Sequence, residues 1–181
     1  MPVNGGWTST SMPYLVPQGA TEADAWTQEA AARGGTGRQR IVFAGETDPP
    51  AEVASLLGVE SEGRAVVRRR VIYLDDRPVE LTDSFYPLSI AGGTALAEPG
   101  KIKGGAVTLL ASLGHVGRHV QEDVTARLPT DEEREIFSLG AHDPVLVMTR
   151  LIRDEHDRPI EVDVMTMPAR GGRLRYELKV G

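Results

Sequence analysis

The stretch RRRVIYLDDRPVELTDSFYP, residues 68–87, limits the fold more than any other part of the chain. Three arginines open an otherwise apolar run, a short acidic turn follows at Asp75-Asp76-Arg77-Pro78, and a second run carries Glu80, Thr82, Ser84 and Tyr86 at every other position. Strict alternation is a strand signature, because successive strand side chains point to opposite faces. Two such runs around Asp-Asp and a proline read as a β-hairpin. One face would carry Arg68, Arg70, Glu80, Thr82 and Ser84, and the other Val67, Val71, Val79, Leu81 and Phe85. Arg69 falls on that second side by strand parity and reads as a surface residue.

The loop decides whether the polar residues meet. A two-residue loop of Asp75-Asp76 sets Arg70 opposite Leu81. A three-residue loop of Asp75-Asp76-Arg77 sets Arg70 opposite Thr82 and Glu80 beside Ile72. A slip of one residue reverses every side chain. The three-residue loop is preferred, because it collects the polar groups on one face. Such a face suits a small-molecule site, whereas a solvated face with weak surface Arg–Glu pairs is the plainer alternative.

The hairpin has an echo. Residues 150–161, RLIRDEHDRPIE, repeat 70–80, RVIYLDDRPVE, with one extra loop residue. Arg70 matches Arg150, and Glu80 matches Glu161. Two copies are too few for a stacked repeat array, so a pseudo-symmetric sheet is expected.

These stretches, with KIKGGAVTLLASLGH, DRPIEVDVMTMP and a closing RYEL, resemble the UTRA domain. This is the effector-binding half of GntR-type bacterial transcription regulators of the HutC subfamily. The resemblance covers roughly residues 25–178. It implies an α+β fold similar to chorismate lyase, an antiparallel β-sheet with flanking helices, and a homodimer. It further implies that Arg68, Arg70, Glu80 and Glu161 contact a ligand. Where many members have a tyrosine six residues beyond the second glutamate, Met167 stands, implying a more apolar pocket wall. Where sugar-phosphate-sensing members use a serine at a helix start, Gly105 stands, which argues against a phosphosugar. Thr82, Ser84 and Tyr86 complete the candidate ligand-binding set.

The chain's 181 residues suit one ligand-binding domain over 21–181, preceded by an extended arm over 1–20. Trp7, Met12, Tyr14 and Leu15 make that arm too apolar for a free tail, and packing on its own domain or on a partner subunit is expected, with a disordered arm as the alternative. The absence of cysteine excludes a disulfide scaffold, a thiolate metal site and a cysteine nucleophile. No apolar run approaches a membrane span, and MPVNGGWTST lacks the basic and apolar regions of a signal peptide, so a cytoplasmic protein is expected. A net charge of −6 lacks the basic footprint of nucleic-acid binding, and nothing in 1–40 reads as a winged helix-turn-helix. A stand-alone chain without its own DNA-binding module, and with no direct nucleic-acid contact, is expected, with a piece of a longer regulator as the alternative.

Along the chain, Thr21 caps a helix over 21–34 with Asp24 three residues on. A strand spans 38–46, and Pro49-Pro50 open a short helix ended by Gly58. Residues 88–100 read as a loop with one helical turn. A helix begins near Gly104-Gly105, whose exposed backbone N–H groups would make a weak anion seat, and stops at Gly114. Residues 118–128 alternate as a strand, and Thr130 caps a helix through TDEERE. The second hairpin and a last strand, RLRYELKV, follow. His115 and His119 are four apart, but Gly117 and a helix-to-strand change separate them, so no metal site is assigned. No nucleophile elbow, P-loop or dinucleotide fingerprint is present, and no cofactor is called for.

Two functions compete. One is a non-catalytic sensor of a small polar or anionic metabolite. The other is an enzyme on the chorismate lyase-like scaffold, a metal-free lyase or cyclase with Glu80 or Glu161 as general acid or base. Turnover of a bound metabolite separates them.

Overall fold

A computed structural model gives the structure of the protein and describes residues 7–9, 15–17, 25–32, 34–59 and 63–177. Its centre is a six-stranded sheet of order β2-β3-β4-β7-β6-β5, formed by β2 (Gly37–Thr47), β3 (Ala65–Leu74), β4 (Arg77–Pro87), β5 (His119–Arg127), β6 (Val145–Arg153) and β7 (Pro159–Pro168). Every neighbouring pair is antiparallel. The α+β class and the antiparallel sheet with flanking helices are as expected.

The first hairpin has the register that collects its polar residues: Arg70 faces Thr82, Arg68 faces Ser84, and Ile72 faces Glu80. Its loop differs from the one preferred. Arg77 already pairs with Leu74, so the loop is Asp75-Asp76 alone, and a bulge between Ile72 and Tyr73 restores the register. Both loop residues have positive φ, 49° and 65°, the backbone that lets a two-residue turn follow the strand twist. The bulge adds one residue to β4, and that residue does the work a third loop residue would have done.

The second hairpin repeats this plan. Arg150 faces Asp163, Ile152 faces Glu161, and a register shift follows between Ile152 and Arg153. Its turn is held by Asp154, which accepts from the backbone N–H groups of His156 and Arg158 and from Arg158 Nε. Burial alone would raise the Asp154 carboxyl; these hydrogen bonds take it down to about 2. β4 and β7 pair at the sheet centre, Thr82 to Met165 and Ser84 to Asp163. A pseudo-two-fold axis between them therefore exchanges Thr82 with Asp163, Ser84 with Met165, Glu80 with Glu161 and Tyr86 with Met167.

Helices cover both faces. On the back, Val53 and Leu57 of α2 (Ala51–Leu57) bury against Val67, Phe85, Leu151 and Val162. Each buried aliphatic side chain there stabilises the fold by roughly 1.5–3 kcal/mol relative to an exposed one. On the front, α1 (Ala25–Ala32) places Trp26 and Ala30 on Ile72, Met148, Met165 and Met167. The Trp26 indole N–H donates to the Tyr73 carbonyl at 3.0 Å. At the other end of the front, α3 (Leu88–Ala91), a 3-10 turn (Ala95–Ala97) and α4 (Gly105–Ser112) pack Ala91, Leu96 and Leu110 on Val66 and Tyr86. The last helix, α5 (Asp131–Phe137), opens with the expected Thr130 cap, which forms a capping box with Glu133.

Some expectations need correction or lie outside the described residues. The last strand is only β8 (Gly172–Leu174), paired in parallel with β1 (Trp7–Ser9); Tyr176 and Glu177 of RYEL are not in a strand. The Thr21 cap, Asp24, Met12 and Tyr14 are outside the described residues. Within the arm, residues 7–9 pair with β8, and Leu15 and Pro17 line a narrow cleft beside Glu161.

Candidate functional site

Between the two helical covers, the front of the sheet carries a row of polar side chains in place of an apolar core. Glu80, Thr82, Ser84, Arg150, Glu161 and Asp163 are all buried there. Strand parity puts them on one face, and the covering helices turn that face inward. The row reads across five strands: Arg70 on β3, Ser84 on β4, Asp163 on β7, Arg150 on β6 and Glu122 on β5.

The contacts within the row are specific. Arg70 Nη2 donates to Ser84 Oγ at 2.7 Å, and Ser84 Oγ donates onward to Asp163 Oδ1. Arg150 Nε donates to Glu122 Oε1 at 2.7 Å, and its Nη1 lies 3.8 Å from Asp163 Oδ2. Thr82 Oγ1 donates to Glu80 Oε1, and Tyr86 donates its hydroxyl proton to Glu161 Oε1 at 2.8 Å. Among the described residues, one buried side-chain nitrogen or oxygen has no hydrogen-bond partner, and it is Arg70 Nε. A buried donor left unpaired costs its desolvation, roughly 1–3 kcal/mol, so such atoms mark places where something else can bind.

The electrostatics follow from burial. Desolvation pushes the Glu80 carboxyl up to about 7, against the opposing pull of Thr82, Arg150 and Arg70. Desolvation and the Asp163 charge push Glu161 up to about 8. The Tyr86 hydroxyl is driven well above its ordinary value by burial and by Glu161. Arg150 loses by burial but gains more from Asp163 and Glu122, and its guanidinium is held more firmly charged. Two carboxyls that titrate near neutrality beside fixed cations can accept or donate a proton as a guest arrives.

The candidate residues divide by their surroundings. Arg70, Glu80, Thr82, Ser84, Tyr86 and Glu161 come together on the front face. Met167 joins them from below Trp26, wholly buried in the α1 cluster. Arg68 is engaged elsewhere: its Nη1 donates to the carbonyls of Ala95, Leu96 and Glu98, and its Nη2 to Gly100, at 2.5–3.1 Å. It braces the loop under α4, and burial without a carboxylate partner lowers its pKa. Gly105 opens α4, but its own N–H donates to Ile102 O at 3.1 Å. Arg69 lies on the back as expected, in a two-pronged pair with Asp83.

Asp163, Arg150 and Glu122 belong to the row and are not in the candidate ligand-binding set. The signal for two of them was present: Arg150 is the repeat partner of Arg70, and Asp163 shares the parity of Glu161. Among the described residues, no three His, Asp or Glu side chains are placed to share a metal ion.

Comparison with known proteins agrees with this architecture. The chain is 26% identical over 115 residues to the HTH-type transcriptional regulator GgaR of Escherichia coli K12, a match covering 64% of this chain and 44% of that protein. It is 25% identical over 133 residues to the uncharacterized HTH-type transcriptional regulator SCO4628 of Streptomyces coelicolor, covering 72% of this chain and 49% of that one. The match thus spans less than half the length of either relative. The crystal structure of the effector domain of PhnF from Mycobacterium smegmatis superposes with a TM-score of 0.73 at 19% identity, covering 91% of this chain and 98% of that one, and so shares the fold. The UTRA domain model matches residues 32–170, more than three quarters of the sequence and all six strands of the central sheet, and the chain belongs to the UTRA domain family.

Proposed function

We propose that this chain is a small-molecule effector-binding module of GntR/HutC-type transcriptional regulation, with its ligand seated on the front-face row between α1 and α4. The observation that carries this reading is the unpaired donor Arg70 Nε, inside a covered polar row whose other members hold one another. Arg70 provides the fork for an acidic group. Glu80, Glu161, Thr82, Ser84 and Tyr86 provide hydrogen bonds, and Met167 an apolar wall. Arg68 and Gly105 shape the surround. The ligand is a small polar or anionic metabolite, and the working unit is a homodimer in the cytoplasm. The signal passes to a DNA-binding unit, because a net charge of −6 gives these 181 residues no phosphate-binding footprint.

The test is native mass spectrometry of the protein purified from its host, with identification of retained small molecules. Retention by wild type and by Arg69→Ala, with loss in Arg70→Ala, supports the front-face pocket. Retention unaffected by Arg70→Ala overturns it. A retained molecule that is chemically converted in the protein's presence favours catalysis by Glu80 or Glu161, whose near-neutral titration suits acid–base work.

A further inference from the structure

The pseudo-two-fold makes the two halves of the site comparable residue by residue, and they are chemically unlike. In one half, Arg150 is held by Glu122 and lies near Asp163. In the other, its counterpart Arg70 has no carboxylate partner among the described residues; it donates to the Ser84 hydroxyl and keeps Nε unpaired. Glu161 accepts from the Tyr86 hydroxyl, whereas the residue related to Tyr86 is Met167, which has no hydroxyl to give Glu80. Glu80 is held by Thr82 through one oxygen. Each glutamate thus accepts one hydroxyl through one oxygen, and the halves differ at the cation: the half that contains Glu80 sets it beside Arg70, which has an unpaired donor. Arg70 faces Thr82 and Ile72 faces Glu80, so the two are diagonal neighbours on one face of a strand pair. Such neighbours lie about 7–8 Å apart at the backbone and within reach of long side chains.

Resting on the pocket proposed above, we infer that its ligand is an α-amino acid, with its carboxylate on Arg70 and its ammonium group on Glu80. A guanidinium prong and a carboxyl oxygen at that spacing match an acid and an amine carried on one carbon. An anion without an amine satisfies Arg70 but lies against Glu80, Glu161 and Asp163. A plain amine leaves Arg70 Nε unpaired.

Charge balance gives a signature independent of which amino acid is bound. Burial holds the Glu80 proton up to about 7. The groups around it are Thr82 on its own strand, Arg70 on β3, Asp163 on β7 and Arg150 on β6; Glu161 adds Tyr86, and His115 lines the cleft beside it. An arriving ammonium group drives Glu80 to ionise, so binding at pH 6 releases a proton. An arriving phosphate or amine-free carboxylate favours the protonated acid and releases none.

The experiment screens the full chain by thermal shift at 10 mM against the twenty protein amino acids, their N-acetyl and 2-hydroxy-acid counterparts, and glucose 6-phosphate. Any hit then goes to calorimetry at pH 6 in two buffers of different ionisation heat. Expected are a rise in Tm of about 2 °C or more for at least one amino acid, and loss of at least about ten-fold in affinity for its N-acetyl and hydroxy counterparts. Also expected are net proton release and loss of binding in both Arg70→Ala and Glu80→Gln. Equal binding of the amine-free counterpart or of glucose 6-phosphate, lost in Arg70→Ala but kept in Glu80→Gln, overturns the amino-acid assignment and leaves the pocket standing. Binding that survives both substitutions overturns the pocket itself. No shift from any amino acid overturns the assignment.

Discussion

Two neighbouring arginines on one strand, Arg68 and Arg70, illustrate how surroundings decide a residue's role. Both point to the front, and both were candidates for an anionic ligand. Four backbone carbonyls hold Arg68, while Arg70 meets one hydroxyl. Replacing Arg68 by Ala leaves those carbonyls without donors under α4 and is expected to cost about 3 kcal/mol, read as a lowered urea midpoint with unchanged slope. Glu80 makes a second prediction. Its folded pKa, about 7, lies above that of an unfolded glutamate, so the folded state holds the extra proton between the two values. Stability is greatest below the unfolded pKa and falls as pH rises through the folded one. From pH 5 to pH 8 the Glu80 contribution is expected to fall by roughly 2–3 kcal/mol. Glu80→Gln, which has no proton to lose, should flatten that slope in parallel denaturant titrations, and an unchanged slope would assign the pH dependence to Glu161 alone.

At the scale of elements, each hairpin reaches its register through a positive-φ turn and a bulge. Asp75 and Asp76 hold φ of 49° and 65°, strained for residues with a Cβ but open to glycine. Asp75 also accepts from the Thr36 N–H at 2.8 Å, so Asp76 is the position to change. Asp76→Gly is expected to raise stability by about 0.5 kcal/mol despite losing its exposed pair with Arg38, and Asp76→Val to lower it by 1 kcal/mol or more, measured by thermal melts. This turn also shows what could be read from the sequence. Alternation fixed which residues share a face, and the repeat of Arg-x-Ile with Arg-Pro-x-Glu foretold two matching halves. The bulge was not legible, because nothing in Pro78-Val79 distinguishes an extra strand residue from an extra loop residue. Asp163 and Glu122 escaped for a different reason. An acid on an alternating strand ordinarily faces water; here Asp163 lies between the α1 and α4 covers, and Glu122 meets Arg150 and Tyr176, both remote from it in sequence. The short β8 was overextended, since the apolar alternation of RLRYELKV carries no mark of where pairing stops.

The whole molecule is a duplicated half-sheet whose two copies have diverged at a few side chains, and the divergence predicts unequal responses to equal changes. Arg70 and Arg150 are related by the pseudo-two-fold. Arg150→Ala strips the cation from two buried carboxylates, Glu122 and Asp163, and such a loss typically costs 3–5 kcal/mol. Arg70→Ala removes one bond to Ser84 together with an unpaired donor, so it is expected to cost 1 kcal/mol or less. Urea denaturation of both variants at pH 7 measures the two costs. Equal costs would mean that the halves still share one electrostatic role. A large cost for Arg150 alone would mean that one half has become the frame, leaving the other to receive a ligand.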